Sequence, residues 1–352
     1  MKSIKLYIPI LLSVFCMSIS GCSNLDHEDT LTNWKWDTVE KNQDIVNLGW
    51  TNVSTNFGTL PAYVNVYLSP VKMDAAGGDS VIAYVAVADM SRATFGVQSD
   101  LTCDAGSGTG TCSALYTPTE FYNKTSGLVV INGGLFFEDS GTCYSQSLLY
   151  KDGVKLSANQ NYYSEDWTNF WYPTIGAFIQ KPDKTFETKW TYFNDGTKTD
   201  YSYGKCKEIN TATPETTPPD ATTPETATVL NKTTVLNGIG GVGVLIHGGI
   251  IFNTYKNEML DVSADSSQPR TAIAYDATNK RLMFFVCEGR QMTAGVHGLT
   301  TAQEATILKA LGCTEALNLD GGGSSCMLVN GKSTIKPSDG SERKVIDACY
   351  IK

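Results

Sequence analysis

Histidine is scarce in this chain: there are three in 352 residues, and no C-x-x-C pair accompanies them. A structural zinc site needs several nitrogen or sulfur ligands at short spacing, so that class is set aside. Basic clusters are missing as well. No run is more basic than the Glu342-Arg343-Lys344 neighbourhood, and the formal charge is −9, so a nucleic-acid partner lacks its electrostatic footprint. The same acidic balance argues against docking on anionic lipid through the protein surface. Beyond the amino-terminal segment no apolar stretch approaches the roughly 20 residues that a membrane-spanning helix needs. Helical periodicity is rare, and no strand–helix–strand rhythm appears.

What is present begins at the amino terminus. Lys2 and Lys5 precede an apolar run from Leu6 to about Ile19, too short to span a bilayer and suited to a signal-peptide core. Ile19-Ser20-Gly21-Cys22 then resembles a bacterial lipobox, with Cys22 as the lipidated residue. The alternative is an ordinary secretory signal with an accidental cysteine. The expected organisation is a lipoprotein signal peptide over 1–21, a tether over 22–60 that includes an edge element, and a folded domain over 61–352. The expected location is the bacterial cell envelope, lipid-anchored, in the outer membrane, with the membrane met through the anchor alone. Ten cysteines include Cys16 and Cys22, leaving eight in the exported chain. An oxidising compartment permits disulfides, and "CDAGSGTGTC" suggests Cys103–Cys112 across a small-residue loop. The pairing of the other six stays open.

Strand-forming runs dominate the body. "PAYVNVYLS", "SVIAYVAVADM", "GLVVINGGLFF", "GVGVLIHGGIIF", "RTAIAYD" and "RLMFFVCEG" are all bounded by turn residues. "SLLYKDGVKLS" reads as a hairpin around Asp152-Gly153. Residues 211–228 repeat Thr-Pro-Glu-Thr and form the core of a Pro/Thr-rich insertion at about 207–232, expected to project as an extended, mobile loop. One convincing helix is predicted, at about 300–312, with Thr300 and Gln303 as a capping box and Gly312 as a stop. The expectation is an α+β, sheet-dominated fold with mixed or antiparallel strands packed around that one main helix.

The stretch "LNLDGGGSSCMLV" puts Asp320 at a strand end, followed by Gly321, Gly322, Gly323, Ser324 and Ser325. A phosphate loop or dinucleotide fingerprint would open a helix after the glycines, whereas here a strand follows. Two readings remain: a glycine-rich bulge with an exposed Asp, or a strand–loop–strand site for an anionic or polyhydroxylated ligand. Asn132, with Gly133 behind it, ends another strand, either as a hairpin turn or as a site element. Arg270 and Thr271 open an apolar strand, where the arginine is either a rim charge or a planar fork for phosphate. Glu288, Arg290, His297 and Glu304 complete the set of candidates, each with a plain structural alternative. "DWTNFWYP" carries Trp167, Phe170, Trp171 and Tyr172, which suit either an exposed sugar platform or core packing.

The ordered blocks N-G-G-x-F-F, G-G-x-G-x-L-I, P-R-T-A-I, E-G-R-Q, G-L-T-T-A-Q-E-A and N-L-D-G-G-G-S-S resemble the phosphodiester glycosidase family from about Thr117 to the carboxyl terminus (core match 117–352). Two departures stand out. Glu288 occupies a position where the family usually has Asp, and His297 lies in a loop where histidine is not expected. The resemblance implies hydrolysis of the sugar C1–O bond of a sugar-1-phosphodiester, of the GlcNAc-1-phosphodiester type, with a carbohydrate or glycan phosphodiester as partner. The catalytic assignment it suggests is Asp320 at the anomeric side, Arg270 (or Arg290) at the phosphate, Asn132 on sugar hydroxyls or phosphate, and Glu288 as second carboxylate. Gly133, Thr271, Arg290, His297, Glu304, the Gly321–Gly323 amides, Ser324 and Ser325 would bind substrate. No cofactor is required; a divalent metal near Asp320 is conceivable, but nothing in the pattern demands one. The competing readings are a non-catalytic glycan-binding surface lipoprotein and a phosphodiesterase that cuts P–O.

Overall fold

The computed structural model describes residues 42–352. The lipobox, Cys22 and the first half of the expected tether lie outside the described residues. From Asp44 onward the chain is part of the folded body: Ile45, Trp50 and Phe57 are buried, and Thr51–Asn52 pairs with Val64–Leu68 at a sheet edge.

Among the described residues there are four sheets, and every strand pairing within them is antiparallel. The largest has eight strands. Its centre is Ala83–Asp89, Arg281–Cys287, Arg270–Asp276 and Glu315–Asn318, side by side. Alternation along these strands explains their continuous apolar runs. Ala86, Ile273, Phe284 and Leu317 point to one face and join Ile131, Phe178 and Trp190 of neighbouring sheets. Val85, Ala272, Phe285 and Ala316 point to the other and meet Ala305, Ile307 and Leu308 of the helix Thr301–Ala310. A strand covered on both faces has no polar side to show.

The expected arrangement around one main helix is corrected by this geometry. The capping box forms as expected, the Thr300 side chain accepting from the Gln303 amide. Yet that helix has ten residues and covers one face of one sheet, while Pro118–Thr125, with eight, covers part of another. The principal core lies between sheets. Helical periodicity showed where a helix forms but carried no information on what the strands pack against.

A five-stranded sheet orders Lys332–Ser333, Met327–Val329, Val129–Asn132, Asp347–Ile351 and Phe95–Ser99. Its strand Val129–Asn132 does not turn back as a hairpin. It passes through Gly133 and Gly134 into Phe136–Asp139 of the four-stranded sheet. The Asp152-Gly153 hairpin is formed, with φ of 51° and 79°.

Two further expectations are overturned. Cys103 and Cys112 are free thiols: Cys103 pairs in register with Gly110, and Cys112 faces Cys143 on the next strand. Spacing in the loop did not reveal that the hairpin register holds the two apart. The Pro/Thr-rich segment does not simply project. Pro219 is buried and its carbonyl accepts from Asn194, the Tyr203 hydroxyl donates to the Asp220 carbonyl, and Lys207 pairs with Glu215.

Candidate active site

The site forms where strand ends from two sheets converge. The carboxyl end of Glu315–Asn318 and the amino end of Arg270–Asp276 come from the eight-stranded sheet. The carboxyl end of Val129–Asn132 and the amino end of Asp347–Ile351 come from the five-stranded one, with Asn132 opposite Ala348. Residues 319–326 cross from the first sheet to the second and carry Asp320. A single 3-10 turn, Gly322–Ser324, bends the crossing before Met327–Val329.

Asn132 anchors that crossing. Its amide nitrogen donates to the Asp320 carbonyl at 2.7 Å, and its oxygen accepts from the Thr271 hydroxyl at 2.8 Å and the Cys326 amide at 3.2 Å. Both residues are buried and their polar groups are spent, so Asn132 and Thr271 hold the loop and do not reach into the cleft.

Each glycine after Asp320 has a separate reason. A Cβ at Gly321 would lie 2.9 Å from the Pro269 carbonyl oxygen. At Gly322, where φ is +60°, it would meet Arg290 Nη2 at 2.7 Å. At Gly323 it would meet Arg343 Nη2 and Asp339 Oδ2 at 2.1 and 2.2 Å. The glycines thus make room for two guanidinium groups. Their amides are largely used inside the loop: Gly321 N–H donates to Asp320 Oδ1 and Gly322 N–H to the Pro269 carbonyl.

The cleft over this loop measures about 150 Å³ and is lined by Asp320, the three glycines, Arg270, Arg290, Arg343, Gln268, Leu135 and residues 261–263. Arg290 donates from Nε to Gln268 at 2.9 Å, and Arg343 from Nε to Asp339 at 2.8 Å. Both are half-exposed and keep donors turned to the glycine loop. Arg270 also lines the cleft, but its donors go to the carbonyls of Leu299, Val262, Ser263 and Ser266. Arg270 therefore ties the cleft wall together, while Arg290 and Arg343 share the Asp339 carboxylate, at 3.8 Å from Arg290 Nη1 and 2.6 Å from Arg343 Nη2, and keep donors to spare.

Burial pushes the Asp320 carboxyl up to about 6, against the Ser324 hydroxyl, the Gly321 amide and the Arg343 charge, which all favour ionisation. Behind it sits Asp347, 1% exposed. One of its oxygens accepts from Gly134 N–H at 2.8 Å, and the other has no hydrogen-bond partner among the described residues. Burial, reinforced by the Asp320 charge, raises Asp347 to about 7. A Cβ at Gly133 would lie 1.9 Å from Asp347 Oδ1, so the glycine lets the carboxylate rest on the strand end.

The remaining candidates are elsewhere. Glu288 is buried with one oxygen on the Lys336 amide and does not line the cleft. The His297 carbonyl accepts from Arg290 N–H while its side chain is exposed outside the cleft. Glu304 is fully buried beside Arg270, both oxygens without a hydrogen-bond partner among the described residues, and burial raises it to about 8. Ser324 bonds Asp320, whereas the Ser325 hydroxyl is buried without a partner. Sequence reasoning missed Asp347 and Arg343. The signal for Asp347 was an acid opening an otherwise apolar strand, "VIDACYI"; Arg343 was visible only as part of a charged triplet. Among the described residues no three His, Cys, Asp or Glu side chains gather as a metal site.

The sequence pattern of the phosphodiester glycosidases matches residues 126–352, well over half of the chain. The chain belongs to the phosphodiester glycosidase family. Among solved structures, it is similar to the catalytic domain of zebrafish N-acetylglucosamine-1-phosphodiester α-N-acetylglucosaminidase, auto-inhibited by its pro-peptide. That match has 20% identity and a TM-score of 0.54, covering 86% of this chain and 87% of that one. A hypothetical protein from Synechocystis matches at 14% identity and a TM-score of 0.53, over 86% of this chain and 67% of that one. At these identities the likeness concerns the fold. No curated protein matches the chain.

Proposed function

We propose that this phosphodiester glycosidase hydrolyses the C1–O bond of a sugar-1-phosphodiester, releasing the free sugar and a phosphate monoester. The observation that supports the reading best is Asp320 in a small cleft beneath two guanidinium groups with donors to spare. Breaking C1–O leaves positive charge on the ring and negative charge on the departing phosphate. Arg290 and Arg343 suit the phosphate, where fixed cations in a partly dry site stabilise developing charge. Asp320 suits the anomeric side, as nucleophile or as base for the attacking water. Water supplies the oxygen of the new C1–O bond, and its proton leaves through Asp320.

Asp347 is too deeply buried to touch substrate and acts through Asp320 as a positioning residue. Burial raises both carboxyls, and Asp347 also feels the Asp320 charge. Activity should therefore rise as pH climbs through about 6. The anchor belongs to the same proposal: Cys22 as a lipidated residue would hold the enzyme at the cell envelope, and the mass of the mature amino terminus tests it.

The test of the reaction is hydrolysis of the methyl diester of GlcNAc-α-1-phosphate in ¹⁸O-water. Label in the released sugar is expected, because water attacks C1. Label in the phosphate would instead mean P–O cleavage. Asp320→Asn should lower turnover by about 10²–10⁴-fold with the fold retained. Near-normal turnover in that variant would show that Asp320 does not act at the anomeric carbon.

A further inference from the structure

A second cavity, of about 700 Å³, opens beside the cleft and shares Asp261 with it. Pockets that enclose a whole organic ligand usually measure about 300–1,000 Å³. The 150 Å³ cleft is too small to hold a sugar, a phosphate and a second esterified group together, whereas its neighbour is of that size. Building on the proposed reaction, we infer that the larger cavity is a subsite for an uncharged saccharide forming part of the substrate.

The lining chemistry selects that class. Phe137 and Tyr144 are cross-strand partners whose rings stack at 5.0 Å and 10°. Tyr162 and Trp167 stand near them, with centroids 6.2 Å apart. Exposed aromatic faces next to fixed polar groups are what a sugar needs, since its C–H face is apolar and its rim is all hydroxyl. The rim groups are present: the Tyr162 hydroxyl, Gln146 Oε1 and Asn161 Oδ1 have no protein partner among the described residues. Gln146 and Asn161 are meanwhile oriented through their amide nitrogens, on Gln160 at 2.7 Å and the Phe193 carbonyl at 3.1 Å. Among the described residues no lysine, arginine or histidine lines the cavity, and Asp104 and Asp261 do. That charge disfavours a polyanionic segment, and the amides and carboxylates disfavour an acyl chain.

Trp167 supplies an independent observation. It is 72% exposed and its φ is 59°, a left-handed backbone that a bulky residue rarely adopts. The turn is held by Trp167 N–H on Ser164 Oγ and by the Thr168 and Asn169 amides on Asp166 Oδ1. An indole kept in water on a strained, pinned turn gains nothing for folding, and such strain persists where presentation of the side chain matters.

The experiment reads binding by the full chain, so it is separable from turnover. Neutral di- and trisaccharides of glucose, mannose and GlcNAc, and the 1-phosphates of the same sugars, are titrated while tryptophan fluorescence and ligand-observed NMR are recorded. At least one is expected to bind, tenfold or more weakly to Trp167→Ala, with Trp167→Phe restoring part of the affinity and Arg290→Ala leaving it unchanged. Absence of binding across the panel overturns the inference. So does binding indifferent to Trp167→Ala, or seen solely with phosphorylated sugars and lost in Arg290→Ala. A protein that binds neutral saccharide at Trp167 but cleaves no diester would keep this subsite and discard the proposed reaction.

Discussion

Arg343 donates to Asp339 and overhangs Gly323, and Arg290 leans on Gln268 over Gly322. Neither charge is buried enough to be needed for folding, so their removal should be felt in the chemistry. Arg343→Ala and Arg290→Ala are each expected to lower kcat/KM for a sugar-1-phosphodiester by roughly 10²–10³-fold, the loss typical of a donor to developing negative charge. Thermal stability should stay near that of the unaltered protein. A variant that keeps full kcat/KM would show that the phosphate lies elsewhere. Arg270 should respond differently, because its donors hold four backbone carbonyls; Arg270→Ala would loosen the segment 262–266 and register as lost stability.

At the scale of the element, the strand Val129–Asn132 and its continuation through Gly133 and Gly134 decide how closely two sheets approach at the cleft. Gly133 leaves space for Asp347, and Gly134 for Ser147, whose Cβ would be 2.3 Å from an added methyl. Gly133→Ala forces the carboxylate or the strand end to move. It is expected to cost about 1–3 kcal/mol, the range for overpacking a tight interior, read as a lower urea midpoint. A midpoint equal to that of the unaltered protein would mean that the strand end yields freely. The crossing 319–326 depends on the same junction through Asn132, so activity should fall with stability in this variant.

At the scale of the molecule, acids raised by desolvation, Asp320, Asp347 and Glu304 among them, make stability depend on pH. Asp320, Asp347 and Glu304 are raised to about 6, 7 and 8, in each case chiefly by burial. Each binds its proton more tightly folded than unfolded, so the folded state is favoured below the ordinary carboxyl range. That advantage is lost as pH rises through the three folded values. The urea midpoint should be lower at pH 8.5 than at pH 5. Asp347→Asn and Glu304→Gln should each reduce the difference, and an unchanged difference in both would assign the slope to other groups.

The strands were legible in the sequence, but the arrangement around one main helix was not borne out, because the principal core lies between sheets. Strand-forming runs such as "RLMFFVC", the capping box at Thr300 and Gln303 and the Asp152-Gly153 turn are local chemistry that folds as written. The ordered motifs also sufficed to place the chain in its family. The division of labour within the site was not legible. Arg270 and Asn132 stand next to the cleft in any reading of the motifs, yet their hydrogen bonds are consumed, Arg270's by the carbonyls of Val262, Ser263, Ser266 and Leu299 and Asn132's by Asp320, Thr271 and Cys326. Arg343 and Asp347 come from the last strand and the loop before it, and nothing local marks them as neighbours of Asp320. The helix at Thr301–Ala310 was seen correctly, while its place on one face of an eight-stranded sheet depends on which strands pair. Sequence thus determined the elements and the family, because those depend on nearest neighbours and motif order. Tertiary structure alone decided which arginine donors are spent and which are left over, because that depends on contacts closed across two sheets.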